Sequence, residues 1–285
     1  MGAVYRAWDL RLNRPIAVKV MVGASFGKPA ALHRFEREAR MAARLRHPNI
    51  VAVYDFNLVG GGAYLVMELV EGRNLRAELD ATGPVPPAQA GSWFDQLLAG
   101  LEAAHHAGVV HRDLKPANVL ISRPVGGGQE IKIADFGLAR LKAVEGGESL
   151  TLTVSGTVLG TMGYMSPEQL MGKEADERSD LFSVGVLVLE SLTGRRPFGG
   201  RTPQELLASL DRAGPPLSGE GAEIERLNTV LVACLEYDPA RRPASAAELR
   251  SELIGALRSC PPLPVVSKAE VSPGGNTETE RPSRG

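Results

Sequence analysis

The sequence predicts an α+β fold in which a small antiparallel sheet carries one main helix and a larger, mostly helical part follows. Three observations carry this expectation. Up to about residue 70 the apolar residues come in short runs rich in Val, Ile, Ala and Tyr, the composition of strands. One charged helical pattern interrupts those runs. After Gly72 apolar spacings of three and four dominate as far as about residue 258. With 285 residues, 44% of them hydrophobic, the chain can bury one large core or two smaller ones.

Residues 3 to 20 include Ile16-Ala17-Val18-Lys19-Val20, and residues 50 to 68 include Ala63-Tyr64-Leu65-Val66-Met67. Both stretches are punctuated by turn formers, Asn13-Arg14-Pro15 and the glycine run at 60 to 62. Between them Leu32, Phe35, Ala39, Ala42, Ala43 and Leu45 line one helical face over residues 30 to 45, and His47-Pro48-Asn49 stops the pattern. The order is therefore strand, strand, helix, strand, strand. Trp93, Leu97, Leu101, Ala104 and His105 then mark a long helix, and further helices are predicted at about 176 to 193, 203 to 212, 223 to 236 and 245 to 258. Val109 to Ser122 and Glu130 to Ala134 mix short apolar runs with polar clusters, a texture typical of loops held by a rigid scaffold. From Pro261 to Gly285 the chain is Pro, Gly, Ser, Thr and Glu with few large apolar residues, which predicts a disordered tail. The expected division is 1–70, 71–259 and 260–285.

Lys plus Arg is 32 against 33 Asp plus Glu, a balance of −1, so no global field draws the chain to nucleic acid or an anionic membrane. Cys234 and Cys260 are too few for a disulfide framework or a four-cysteine zinc site and read as ordinary thiols in a reducing compartment. The longest apolar stretch, Leu181 to Leu192, falls short of the roughly 20 residues a bilayer span needs and reads as a buried helix. No basic leader precedes an apolar run, and Arg6 stands where an N-myristoylation signal has Ser or Thr. The expectation is a cytoplasmic protein with no membrane segment.

His111-Arg112-Asp113-Leu114-Lys115-Pro116-Ala117-Asn118 gathers an acid, two cations and an amide within eight positions, and Asp135-Phe136-Gly137 adds a second acid in a later loop. Phosphoryl transfer needs these parts: a carboxylate to take the hydroxyl proton, oxygens to hold a divalent cation, and positive charge for the phosphate. With Ala17-Val18-Lys19, Arg37-Glu38-Ala39 and Ser166-Pro167-Glu168 in the same order along the chain, the sequence resembles the eukaryotic-type serine/threonine protein kinases common in bacteria, from Gly2 to about Leu257. Any one of these tripeptides arises by chance; the ordered set, each on its predicted element type, does not.

That resemblance implies a two-lobed fold and a set of roles. Lys19 contacts the α and β phosphates of ATP and Glu38 pairs with it; Asp113 is the catalytic base and Lys115 stabilises the transferring phosphoryl; Asn118 and Asp135 ligate Mg²⁺, with Mn²⁺ as an alternative. Val4, Ala17 and Leu120 sandwich the adenine, Met67 is the gatekeeper, and the backbone of Glu68 and Val70 meets the adenine edge. Glu168 pairs with Arg242, and Asp180 anchors the catalytic loop. Lys115 is the serine/threonine form of that loop, and Thr161 helps seat the acceptor hydroxyl. Arg112 beside Asp113 implies control by phosphorylation of Thr151, Thr153 or Thr157, through autophosphorylation within a kinase dimer, with Ser or Thr of other proteins as substrates. A small-molecule phosphotransferase shares a related His-x-Asp loop but lacks the Ser-Pro-Glu segment and the Asp180 helix.

One part of the pattern is missing. The family's Gly-x-Gly-x-x-Gly-x-Val loop is represented by Gly2 as its last glycine and Val4 as its valine, so the chain lacks two glycines and the preceding strand. Two readings are open. Either the true start lies upstream and Met1 is internal to the loop, which the intact downstream groups favour, or the chain is a shortened, catalytically weak kinase-fold binding module. As given, the chain is expected to bind ATP more weakly and to leave residues 3 to 9 as an exposed sheet edge.

Overall fold

Strands β1 (Gly2–Asp9) and β2 (Arg14–Val22) form an antiparallel hairpin whose turn places Asn13 at φ 50°, a left-handed conformation that asparagine tolerates. The protein is described by a computed structural model covering residues 2–22, 29–59, 62–124, 126–136, 162–200, 202–210, 217 and 219–263, apart from the side chains at 2, 22, 29–32 and 34. Helix α1 (Pro29–Arg44) follows, then β3 (Val53–Val59) and β4 (Gly62–Glu68), and the strands make one sheet in the order β1-β2-β4-β3. The predicted strand and helix order of this half is the observed one. Phe35, Ala39 and Ala42 lie at helical spacing on α1 and pack on Val53, Leu65 and Met67 to form a small core, with Phe35 edge-on to Phe56 at 5.9 Å. β1 stands at the sheet edge with Val4, Tyr5 and Trp8 exposed.

The second half begins with a short strand, β5 (Gly72–Asn74), and α2 (Leu75–Thr82), whose first turn is capped by the Asn74 side chain accepting from the Ala77 N–H at 2.9 Å. Helix α3 (Pro87–His106) leads to β6 (Val119–Ser122) and β7 (Glu130–Ile133), which complete a three-stranded sheet with β5. Helices α4 (Pro167–Leu170), α5 (Glu177–Thr193), α6 (Pro203–Leu210), α7 (Ala222–Cys234) and α8 (Ala246–Ser259) build the rest. Leu181 to Leu192 is buried on every face, as expected of a central helix, and Gly194 ends α5 in the left-handed region at φ 70°. Helix α3 packs along α8, and one continuous apolar core surrounds α5. Cys234 and Cys260 are free and buried, and burial pushes the Cys234 thiol up to about 12.

The periodicity did not isolate β5, α2 or α4. Each is short, eight residues at most, and is held by caps and packing rather than by a repeat long enough to read. Of the expected tail, Cys260 is buried and Leu263 packs on the large core; residues 264–285 lie outside the description. No helix among the described residues is long and apolar enough to cross a membrane.

The halves meet at the segment after α1. Ile133 N donates to Asn49 O and Val51 N donates to Ile133 O, both at 2.9 Å, and the Asn49 amide donates to Ile131 O at 2.8 Å. Gly100 on α3 lets this segment approach, since a Cβ there would lie 3.0 Å from Asn49 O.

Candidate active site

Strand register puts the first cluster on one face. Val4 pairs with Lys19, Lys19 with Leu65, and Ala17 with Met67, so these side chains share one side of the sheet, which α1 covers in part. Ala17 and Met67 are buried, whereas Val4 is 59% exposed at the sheet edge. Leu120 and Val70 pack half-buried against the same cluster. Behind Met67 a cavity of about 10 Å³, room for one water-sized sphere, is lined by Val51, Val53, Leu65 and Phe136.

Lys19 Nζ sits 2.6 Å from Asp135 Oδ2, which brings strand β2 to the loop after β7. Among the described residues the ion pair of Lys19 runs to Asp135 rather than to Glu38, which is buried on α1. The expected Lys19–Glu38 ion pair is not among those of the described residues.

The loop before β6 carries the second cluster. Lys115 Nζ donates to both carboxylate oxygens of Asp113, at 2.9 and 2.8 Å. Asn118, in the 3₁₀ turn Pro116–Asn118, donates its amide to Asp113 O at 2.8 Å. His111 accepts from the Asp113 N–H at Nδ1 and donates from Nε2 to Ala134 O at 2.9 Å, so its hydrogen bonds assign the neutral Nε2–H tautomer. Ala134 N donates to Asn118 O in turn. Ala134 thus ties the loop carrying Asp113 to the loop carrying Asp135. Phe136 is buried edge-on to His111, ring centres 4.8 Å apart.

Two residues here hold positive φ, Arg112 at 64° and Asp135 at 67°, conformations that persist only where neighbours impose them. For Arg112 the cause is visible. Asp180 on α5, 1% exposed, accepts the backbone N–H of His111 at Oδ2 and of Arg112 at Oδ1, both at 2.8 Å. His105 adds Nε2 at 2.9 Å from Asp180 Oδ2. The sequence placed His105 on an apolar stripe; the signal was there as the one imidazole within it.

The segment after the second loop is anchored by charge. Glu168 on α4 accepts from Arg242 Nη1 and Nη2, both at 2.8 Å, and from the Ser179 hydroxyl at 2.6 Å. Tyr164 donates its hydroxyl to Glu190 at 2.6 Å and accepts from Arg76 at 2.7 Å, a contact among α2, α5 and the segment before α4 that sequence reading missed. Burial and then Glu190 push the Tyr164 phenol well above its usual range. Thr151, Thr153, Thr157 and Thr161 lie outside the described residues.

The protein kinase domain model matches residues 1–254. This chain belongs to the protein kinase family. Among its relatives the serine/threonine-protein kinase PknL of Mycobacterium tuberculosis is 44% identical over 258 residues, covering 88% of this chain and 61% of that protein. The serine/threonine-protein kinase PknB of Mycobacterium leprae is 39% identical over 269 residues, 92% of this chain and 42% of that protein. The chain therefore spans less than two thirds of each. The kinase domain of PknI from Mycobacterium tuberculosis, solved as a double mutant, superposes with a TM-score of 0.67 at 25% identity, covering 90% of this kinase and 91% of that chain.

Membership of the kinase family implies ATP and a divalent metal ion. The residues present fit such an ion. Asn118 commits its amide nitrogen to Asp113 O, so Oδ1 is the ligating atom it has left, and Asp135 supplies carboxylate oxygen. Oxygen donors of this kind suit a hard cation.

Proposed function

We propose that this kinase transfers the γ-phosphoryl of ATP to serine or threonine hydroxyls of proteins, with Mg²⁺ as its metal. The observation that carries the reading is the Asp113–Lys115 pair: a carboxylate and an ammonium 2.8 Å apart, on a loop that Asp180 clamps and Ala134 ties to Asp135. Asp113 accepts the hydroxyl proton as the new O–P bond forms and the bond to the ADP oxygen breaks. Lys115 shifts from Asp113 to the phosphoryl oxygens and offsets their charge. Lys19 orients the α and β phosphates, and Glu38 on α1 would steady Lys19. Asn118 and Asp135 would hold the metal, which when bound would supply neutralisation of phosphate charge.

Val4, Ala17 and Leu120 enclose the adenine, Met67 limits its depth, Glu68 and Val70 offer backbone groups to its edge, and Gly2 lies beside the phosphates. Thr161 seats the acceptor. Phosphates on Thr151, Thr153 or Thr157 would recruit Arg112, by transfer between two copies of the kinase in the cytoplasm. Residues 1–70 and 71–259 serve as the two lobes.

The test compares this kinase with an Asp113→Asn variant for transfer of labelled phosphate from Mg-ATP. A loss of about 10²- to 10⁴-fold in the variant is expected for a missing general base. Nucleotide binding without transfer by the unaltered chain would instead favour the binding-module reading.

A further inference from the structure

Lys132 and Glu68 face each other where the sheet passes into the helical half. Lys132 Nζ lies 2.9 Å from Glu68 Oε1, with the lysine side chain only 12% exposed and the carboxylate 25%. Glu68 is the last residue of β4, where the chain passes from the sheet to the helical half. Its other carboxylate oxygen accepts the Ala52 N–H at 3.2 Å, and its own N–H donates to Ala52 O at 2.9 Å. Lys132 is on β7, opposite Leu120 of β6. The residue after it, Ile133, exchanges hydrogen bonds with Asn49 and Val51.

From this arrangement we infer that Lys132 is a positioning residue for the nucleotide: it acts through Glu68 to fix the backbone of 68–70 at a set distance from the β6–β7 sheet. The inference rests on the kinase reading above. Placing two charges out of full contact with water costs desolvation, so such a pair gives little net stability; what it can give is a unique geometry. Here that geometry joins the crossing strand, which offers backbone groups to the adenine edge, to the sheet that carries Leu120 beneath it. The hydrogen bonds exchanged with Ala52 hold Glu68 to its own half of the molecule. Lys132 supplies the link to the other half. The sequence carries a trace of this role, since alternation in Glu130-Ile131-Lys132-Ile133 turns Lys132 away from the core side of β7, where Ile131 and Ile133 are fully buried.

A residue that sets the adenine site should alter nucleotide affinity and leave the chemical step alone, because Lys132 touches neither Asp113 nor Asp135 among the described ion pairs. The experiment measures KM for ATP, kcat and the dissociation constant for ADP in the unaltered kinase and in Lys132→Met and Lys132→Arg. Lys132→Met is expected to raise KM and the ADP constant about 3- to 10-fold with kcat within about twofold, and Lys132→Arg to recover most of the affinity. The inference is overturned if Lys132→Met binds ADP as the unaltered kinase does, or if the Met and Arg variants lose affinity equally, since packing alone would then explain the loss. If the unaltered chain binds ADP but transfers no phosphate, the proposed activity fails, and the ADP constants still decide the role of Lys132.

Discussion

Arg242 meets Glu168 face to face, Nη1 on Oε1 and Nη2 on Oε2, both at 2.8 Å, with both residues buried. The pair joins the turn after α7 to the short helix α4, 74 residues earlier in the chain. Burial alone pushes the Glu168 carboxyl up. The hydrogen bonds from Arg242, Ser179 and Ser166 outweigh it and hold the group at about 2, against 4.5 in the free side chain.

A depressed folded-state pKa means that the ionised form stabilises the fold, by about 3 kcal/mol for a shift of this size. That contribution is complete above about pH 5 and is lost as pH falls from there toward 2. At pH 7 Glu168→Gln is expected to unfold more easily by about this amount, because it also leaves a buried guanidinium without its counter-charge. Denaturant titrations of both proteins at a series of pH values check this: the gap between them should narrow below pH 5.

Asp180 accepts three N–H donors, the backbone groups of His111 and Arg112 in the loop that carries Asp113 and the His105 ring on α3. An asparagine there keeps one oxygen and turns an N–H toward the remaining donors. Asp180→Asn should therefore release Arg112 from its positive φ and lower kcat about tenfold or more, with KM for ATP changed little, since the proposed adenine contacts at Ala17, Met67 and Leu120 are elsewhere. Faster amide exchange at His111 and Arg112 in the variant, measured alongside the kinetics, would tie the loss to the loop. An unchanged kcat would rule out the clamp as a determinant of catalysis.

Gly185 lies in the middle of α5, where helix propensity alone would favour alanine by about 1 kcal/mol. The fold reverses that preference. A Cβ at this position would come 2.8 Å from Cys234 Cβ and 3.3 Å from Leu235 Cδ2 on the packed face of α7. Gly185→Ala is expected to destabilise the kinase by about 1 to 3 kcal/mol, read as a fall in the denaturant midpoint at unchanged m.

Much of this was legible from residue order. Short runs of Val, Ile, Ala and Tyr between turn formers over 3 to 20 and 50 to 68 marked the strands of the small sheet, and the stripe from Phe35 to Ala42 marked the helix that packs on it, since strand composition and a buried helical face both leave a local imprint. The Glu168–Arg242 and Asp180 contacts followed the motif that carries them. Other contacts were not legible for a physical reason. Lys132 with Glu68, Arg76 with Tyr164 and Glu190, and His105 with Asp180 join residues 64 to 114 positions apart, and no local periodicity encodes which charge will face which after folding. The Lys19–Asp135 contact is a further case, since the motif names Glu38 as the lysine's partner while the loop geometry of this state delivers Asp135.

The two apolar clusters are very unequal, one built mainly on the sheet and α1 and the other reaching from Leu45 and Ile50 through α2 to α8, and they are joined by hydrogen bonds of Asn49 and Val51, by the Lys132–Glu68 ion pair and by a few packed side chains such as Met41 and Leu120. Heat should therefore not melt this chain in a single cooperative step. A calorimetric scan is expected to show the smaller unit loosening first, with a van't Hoff enthalpy that disagrees with the total heat absorbed. Because a nucleotide seated between the two would bind only when both are folded, its presence should draw the transitions together, so that the shape of the endotherm reports occupancy as well as its midpoint.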